Sequence, residues 1–222
     1  MTESMNIFQR PRGEGWLVLS DHVPSLEGEF SELANSLLTH ADLSYRPLCI
    51  LAGKTGDSLL QKFLIDLEVL LNVEIIVVTL QDVGDWDLIH PGILILSGGK
   101  PEEWVTALGE THVGVLILEA FQDGLLLFAA DAAASGLGSW VLGEADNSPF
   151  PGLNWLVGSL VLPWAKDPAE NESVRSVLLK PEPLYAMGLA GGRIIALGPS
   201  GEVQLWGVDA PTIVLGSGWR KQ

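Results

Sequence analysis

Residues 124–135 read Gly-Leu-Leu-Leu-Phe-Ala-Ala-Asp-Ala-Ala-Ala-Ser, and the reading of the fold turns on them. Leu125 to Ala130 is a short, almost unbroken apolar run, as a strand buried on both faces requires. Asp131 interrupts the run. The three alanines after it, Ala132 to Ala134, are small enough for a tight turn from strand into helix. Just upstream, Val113 to Phe121 is apolar on all sides, so periodicity alone does not choose between helix and strand. Asp123-Gly124 closes that segment before the strand, which favours a helix. A helix, a buried strand and a tight turn into another helix are the parts of an α/β domain.

Further outward the same alternation repeats. Trp16 to Ser20, Leu48 to Ala52, Glu74 to Thr79 and Ile93 to Ser97 are further apolar runs predicted as buried strands. Between them, Glu27 to Thr39 places Phe30, Leu33, Ala34, Leu37 and Leu38 on one helical stripe. Asp57 to Leu71 does so with Leu60, Phe63, Leu64, Leu67 and Leu71. Lys100 to Leu108 is a shorter helix opened by Pro101, a residue suited to a first helical turn. Strands alternating with helices over short connections predict a doubly wound, mostly parallel sheet flanked by helices. Beyond residue 150 the pattern changes. A proline- and glycine-rich stretch at 149–152 is followed by a helical segment, Glu172 to Lys180. Tyr185 to Leu189, Arg193 to Leu197, Glu202 to Trp206 and Thr212 to Leu215 then read as strands, the middle two joined by Pro199-Ser200-Gly201. We expect these to form an antiparallel hairpin extension of the same domain. The division is a flexible N-terminal arm over residues 1–14 and a single α/β domain over 15–222.

Composition narrows the function classes. The chain has 222 residues, 47% of them apolar and 18% charged, with a mean hydropathy of +0.31. That suffices to bury both faces of a sheet. No apolar run reaches the roughly 18 residues of a membrane-spanning helix. The polar start, MTESMNIFQRPRGEG, has no hydrophobic signal core. A net charge of −16 disfavours nucleic acid and anionic lipid as partners. The single cysteine, Cys49, sits inside a predicted strand and reads as core. A reducing, cytoplasmic compartment fits.

The order of these pieces resembles the family of serine peptidases that contains aspartyl dipeptidase and cyanophycinase, on the flavodoxin-like fold of class I glutamine amidotransferases. Ile93 to Gly99 (ILILSGG) resembles the family's strand ending in Gly-Gly. Residues 124–135 resemble its strand and nucleophile elbow, where the family has Gly-x-Ser-Ala-Gly-Ala. Leu160 to Trp164 takes the place of the strand leading to the family's histidine. Tyr185 to Gly207 resembles its closing hairpin, which begins Gly-Ile-Asp-Glu. The resemblance spans most of the chain and implies that fold.

At the matching residues the family's chemistry is altered. The elbow position is Asp131, not serine. His22, His40, His90 and His112 all precede the elbow, whereas the family's general base follows it; Pro163-Trp164-Ala165 stands there instead. Gly188-Leu189-Ala190-Gly191 replaces the hairpin carboxylates. An aspartate nucleophile would still need a histidine to activate water, and its charge would oppose an oxyanion. We therefore expect Asp131 to cap the following helix, where an anion suits the free N–H groups. Gly98 and Gly99 are expected to allow close backbone approach at the strand end. A sharper alternative has them donate to a bound anion or carbonyl, and a third reading has Gly98, Gly99, Asp131 and Ala132 lining a ligand pocket for a small cationic or polar molecule, with Trp164 partly filling the former cleft.

Other constellations carry less. Ser20-Asp21-His22 has the letters of a triad, but adjacent residues are poorly placed to aim at one another, and a strand-to-loop exit accounts for them. Asp85, Asp87 and His90 offer metal-ligand atoms, yet three polar residues in a loop are ordinarily solvated. Residues 53–57 (GKTGD) lack the leading glycine of a phosphate-binding loop. We expect no metal and no cofactor. The leading expectation is a non-catalytic homologue of these peptidases with a binding or structural role, an unknown small molecule or protein as partner, and a homodimer as its assembly. The alternative is an active serine-type peptidase or amidase. It would use Ser97, Ser135 or Ser139 with His90 or His112.

Overall fold

A computed structural model describes residues 7–26, 31–53, 57–88, 91–144 and 147–221. The structure is mixed α/β, with two sheets and six α-helices among the described residues. The first half alternates as expected: β1 (Trp16–Ser20), α1 (Ser31–His40), β2 (Leu48–Ala52), α2 (Ser58–Leu71), β3 (Ile76–Thr79) and β4 (Ile93–Gly98). Then come α3 (Pro101–Leu108), α4 (His112–Gln122), β5 (Leu126–Ala130) and α5 (Ala132–Gly136). The ambiguous apolar segment is therefore the helix α4. Thr111 starts it by accepting from Gly114 N at 3.2 Å. Phe30 and the start of the helix expected from Glu27 lie outside the described residues.

The larger sheet has seven strands and includes β10 (Ile194–Leu197) and β11 (Val203–Leu205). Its order is β11-β10-β1-β5-β4-β2-β3. β1 to β5 run parallel, and β10 pairs antiparallel with β1, Leu17 opposite Leu197. The expected turn at 199–201 joins β10 to β11 as an antiparallel pair. Alternate strand residues point to opposite faces. Leu17, Ile50 and Leu127 pack towards Trp104 of α3 and Phe121 of α4. Val18, Cys49 and Phe128 pack towards Leu37 of α1 and Phe63 of α2.

A separate five-stranded sheet was not foreseen. It contains β6 (Gly138–Leu142), β7 (Pro149–Pro151), β8 (Leu156–Leu162), β9 (Tyr185–Gly188) and β12 (Thr212–Leu215), in the order β12-β9-β8-β6-β7. The C-terminal strands expected as one extension are thus shared between two sheets. β9 runs parallel to β8, while β10 crosses to the edge of β1. β6 and β7 escaped prediction because glycines and prolines carry their register, at Trp140 opposite Pro151 and around Gly138. α6 (Glu172–Leu178) covers this sheet with Val174, Val177 and Leu178. Met187 and Tyr185 of β9 join the core beneath α3 and α4, so the two sheets share one apolar interior.

β3 departs from its expected burial. It is the edge strand, with Ile76 and Val77 exposed. Of the expected N-terminal arm, residues 1–6 lie outside the described residues, and the remainder meets the body at several points. Gln9 bridges to Val157, Arg10 Nε donates to Gly198 O at 2.7 Å, and Glu14 N donates to Gln122 O at 3.1 Å. No single helix among the described residues is long and apolar enough to cross a membrane.

Candidate functional site

A cleft of about 430 Å³ opens at the C-terminal ends of parallel strands from both sheets, where α/β proteins commonly place ligands. Gly99 and Pro101 line it after β4, and Asp131, Ala132 and Ser135 after β5. The end of β6 and the segment after it add Leu142 to Glu144 and Asn147. Trp164 follows β8, and Asn171 precedes α6. Gly99, Asp131, Ala132 and Trp164, singled out from the sequence, therefore meet around one space. Gly98 stands one residue behind, at φ 79°, where an added Cβ would lie 2.6 Å from Ala52 O. Gly99 has φ 67°, and its added Cβ would lie 2.5 Å from Glu103 Oε2. Both positions exclude a side chain, as the close-approach reading supposed.

Asp131 adopts φ 52° and ψ −124°. That conformation is costly for a residue with a Cβ, on the order of 1–3 kcal/mol. It gives the chain a sharp strand-to-helix turn that projects the carboxylate from the sheet end. The capping expectation is corrected here. The side chain makes no capping hydrogen bond to α5, because a cap requires the extended backbone region that Asp131 has left. Its main chain is anchored by Asp131 N donating to Ser20 O at 3.1 Å. Partial burial raises the carboxyl above its ordinary range, against the N–H of Ala132 and the charge of His22. The charges of Asp21 and Asp57 push in the same direction as burial.

The residues after β1 form a set that the sequence reading set aside. His22 Nδ1 lies 2.8 Å from Asp21 Oδ1, so two neighbours do pair despite their adjacency. Asp21 Oδ2 accepts from Gly191 N at 2.9 Å and Gly192 N at 3.0 Å. A carboxylate just after β1 thus meets the glycines of the turn between β9 and β10. Burial alone would raise the Asp21 carboxyl, yet the bonds from His22, Gly192 and Gly191 hold it below its usual value. The bond to Asp21 raises the His22 imidazole, against its desolvation. His22, which precedes the elbow in the sequence, also feels the charge of Asp131. The letters Asp-His were visible in the sequence; the register of β1 beside β5, which brings them to Asp131, was not.

Serines and imidazoles do not meet among the described residues. Ser20 Oγ donates to the main-chain oxygen of His22, at 2.6 Å. Ser135 Oγ donates to Val161 O at 3.2 Å, and Ser139 Oγ donates to Asn154 Oδ1. Ser97 is buried at the end of β4. His112 Nε2 sits 3.2 Å from Asp85 Oδ2, away from the cleft lining, and His40 packs against Trp16 and Trp206, which also touch each other. His90 and residues 54–56 lie outside the described residues, as does the side chain of Asp87. Among those described, no three ligand-type side chains group as a metal site. Cys49 is fully buried, and burial pushes its thiol up to about 12, which suits core and not chemistry. Trp155 and Trp206 are buried, whereas Trp164 is 54% exposed on the cleft wall.

With the geometry in place, comparison with solved structures decides the fold. The chain is similar to a peptidase from an acI-B1 Actinobacterium, with a TM-score of 0.61 and 15% identity over 94% of this chain and 97% of that one. It is also similar to a putative peptidase E protein from Listeria monocytogenes EGD-e. That TM-score is 0.60, at 13% identity over 88% of this chain and 99% of that one. The chain has a peptidase fold. No family model matches the sequence, and no curated protein matches it. The likeness therefore rests on three-dimensional arrangement.

Proposed function

We propose that this chain is a non-catalytic homologue of the aspartyl dipeptidase and cyanophycinase peptidases, built on their doubly wound sheet, which uses the cleft at Asp131 to bind a small ligand. The observation that carries this reading is the elbow itself. Its strained backbone persists, but it presents a carboxylate where acyl transfer needs a neutral hydroxyl beside an imidazole. A fixed negative charge there opposes a developing oxyanion. The alternative, an active serine-type peptidase or amidase, requires an imidazole to reach a serine, and none does so among the described residues.

The cleft remains open enough for a ligand, and its lining mixes amide, carboxylate, hydroxyl and aromatic groups. A panel of dipeptides, aspartyl ones included, tests the reading with wild type beside Asp131→Ala. The expected result is no turnover by either protein. Turnover lost on the substitution would make Asp131 catalytic, and turnover kept by both would reveal another nucleophile. Either result overturns the proposal.

A further inference from the structure

We propose that the ligand of this cleft is a small organic cation, an amine bearing an apolar or aromatic body, whose ammonium group meets Asp131 while its body lies against Trp164. The inference rests on the binding role proposed above and names the chemical class of what is bound.

The cleft defines the space and its lining defines the charge. Among the described lining residues there is no lysine, arginine or histidine, while Asp131 and Glu144 are both present. Glu144 already has a counter-ion at the rim, since Lys100 Nζ lies 3.2 Å from its Oε2. Among the described residues Asp131 forms no close ion pair. Its side chain accepts from the adjacent Ala132 N–H but makes no capping bond further into α5, and the charges of Asp21 and Asp57 add to its own. His22 acts on it with opposite charge, but the imidazole is already hydrogen-bonded to Asp21. A carboxylate held in this way is relieved by a donor cation and aggravated by an anion. The amide-bearing Asn147 and Asn171 and the hydroxyl of Ser135 supply neutral polar groups around it.

The aromatic wall gives the second half of the specificity. Trp164 is more than half exposed while Trp155 and Trp206 are buried. The face of an exposed indole lining a cleft favours a cation or an apolar ring, while its edge N–H can donate to any acceptor, so the discrimination against a carboxylate comes from Asp131. A ligand bearing only a carboxylate would meet like charge at Asp131. A neutral alcohol would find donors and acceptors but no charge to neutralise. Ammonium and ring together use both walls.

Benzylamine, benzyl alcohol and benzoate share a ring and differ in head-group charge, so they isolate the claim. Each is titrated into the isotope-labelled full chain near neutral pH, following the Trp164 indole and the Gly99 amide by NMR. The expected result is saturable shifts with benzylamine, none with benzoate, and binding of benzyl alcohol weaker by at least about tenfold. Asp131→Asn, which keeps shape and tolerates the positive φ, should weaken benzylamine by about tenfold or more. Trp164→Ala should weaken benzylamine and benzyl alcohol together and leave the preference for charge in place. Equal binding of benzylamine by wild type and Asp131→Asn overturns the inference, as does the absence of a saturable benzylamine shift. If benzyl alcohol or benzoate saturates the same two signals as tightly as benzylamine, the cation class is wrong while the binding role stands. Dipeptide turnover would remove the binding role itself.

Discussion

Asp131 and His22 can each be tested by exchanging one side chain. Glycine reaches φ 52°, ψ −124° without the Cβ conflict that aspartate carries, so Asp131→Gly releases strain at the turn. The greater freedom of glycine in the unfolded chain offsets part of that gain. A net stabilisation of about 1 kcal/mol is expected, read as a raised urea midpoint with unchanged slope. His22 gives a pH signature. Its folded pKa is raised by Asp21, so the stabilisation is complete below the unfolded imidazole value and is lost as pH rises through the folded one. Asp21 is shifted the other way. Its share is present above the ordinary carboxylate value and is lost as pH falls through its lowered folded value. Wild type should therefore lose stability relative to His22→Gln as pH rises from mildly acidic to mildly alkaline. The effect is small because the imidazole is half exposed. Parallel pH profiles for the two proteins would contradict it.

At the scale of elements, the strand-end turns after β4 and β5 set the cleft. Gly99→Ala places a methyl group against Ala52 and Glu103 at a backbone angle that alanine rarely adopts. A loss of about 2–3 kcal/mol is expected by chemical denaturation, with the start of α3 displaced from the cleft. Elements such as these were legible where local chemistry and burial agree. β2 has the predicted bounds, and α2 follows its stripe from the cap at Asp57. The second sheet was not legible, because its register is set by partners far along the chain and its strands β6 and β7 lack a clean alternation. The site was half legible. Gly99, Asp131, Ala132 and Trp164 came from the elbow pattern and its spacing. Glu144, Asn147 and Asn171 sit in segments whose position depends on the unforeseen sheet. Asp21 and His22 were noticed as letters, but their proximity to Asp131 is a property of β1 lying beside β5.

For the whole molecule, charge is the dominant long-range term. Twelve basic residues against 28 acidic ones leave a net −16, and few close ion pairs answer it among the described residues. Self-repulsion of that kind favours the expanded chain and is screened by salt. The melting temperature should therefore rise as sodium chloride goes from about 10 mM to about 500 mM, with most of the change in the lower part of the range. A flat or falling response would mean that close pairs outweigh the net field.

The order of the larger sheet also bears on the birth of the protein. β1 leaves the ribosome before the other described strands, yet it ends in the interior with β5 on one side and β10 on the other. β2, β3 and β4 can associate as they emerge, being neighbours in both sequence and sheet. β1 must wait for residues 126–130 to find its first partner and for residues 194–197 to find its second. Until then its apolar edge is available to other nascent chains, as slow long-range pairing generally allows. Synthesis halted before β10 would release a polypeptide with an uncovered central strand, so premature termination makes a sticky fragment and not a smaller working protein.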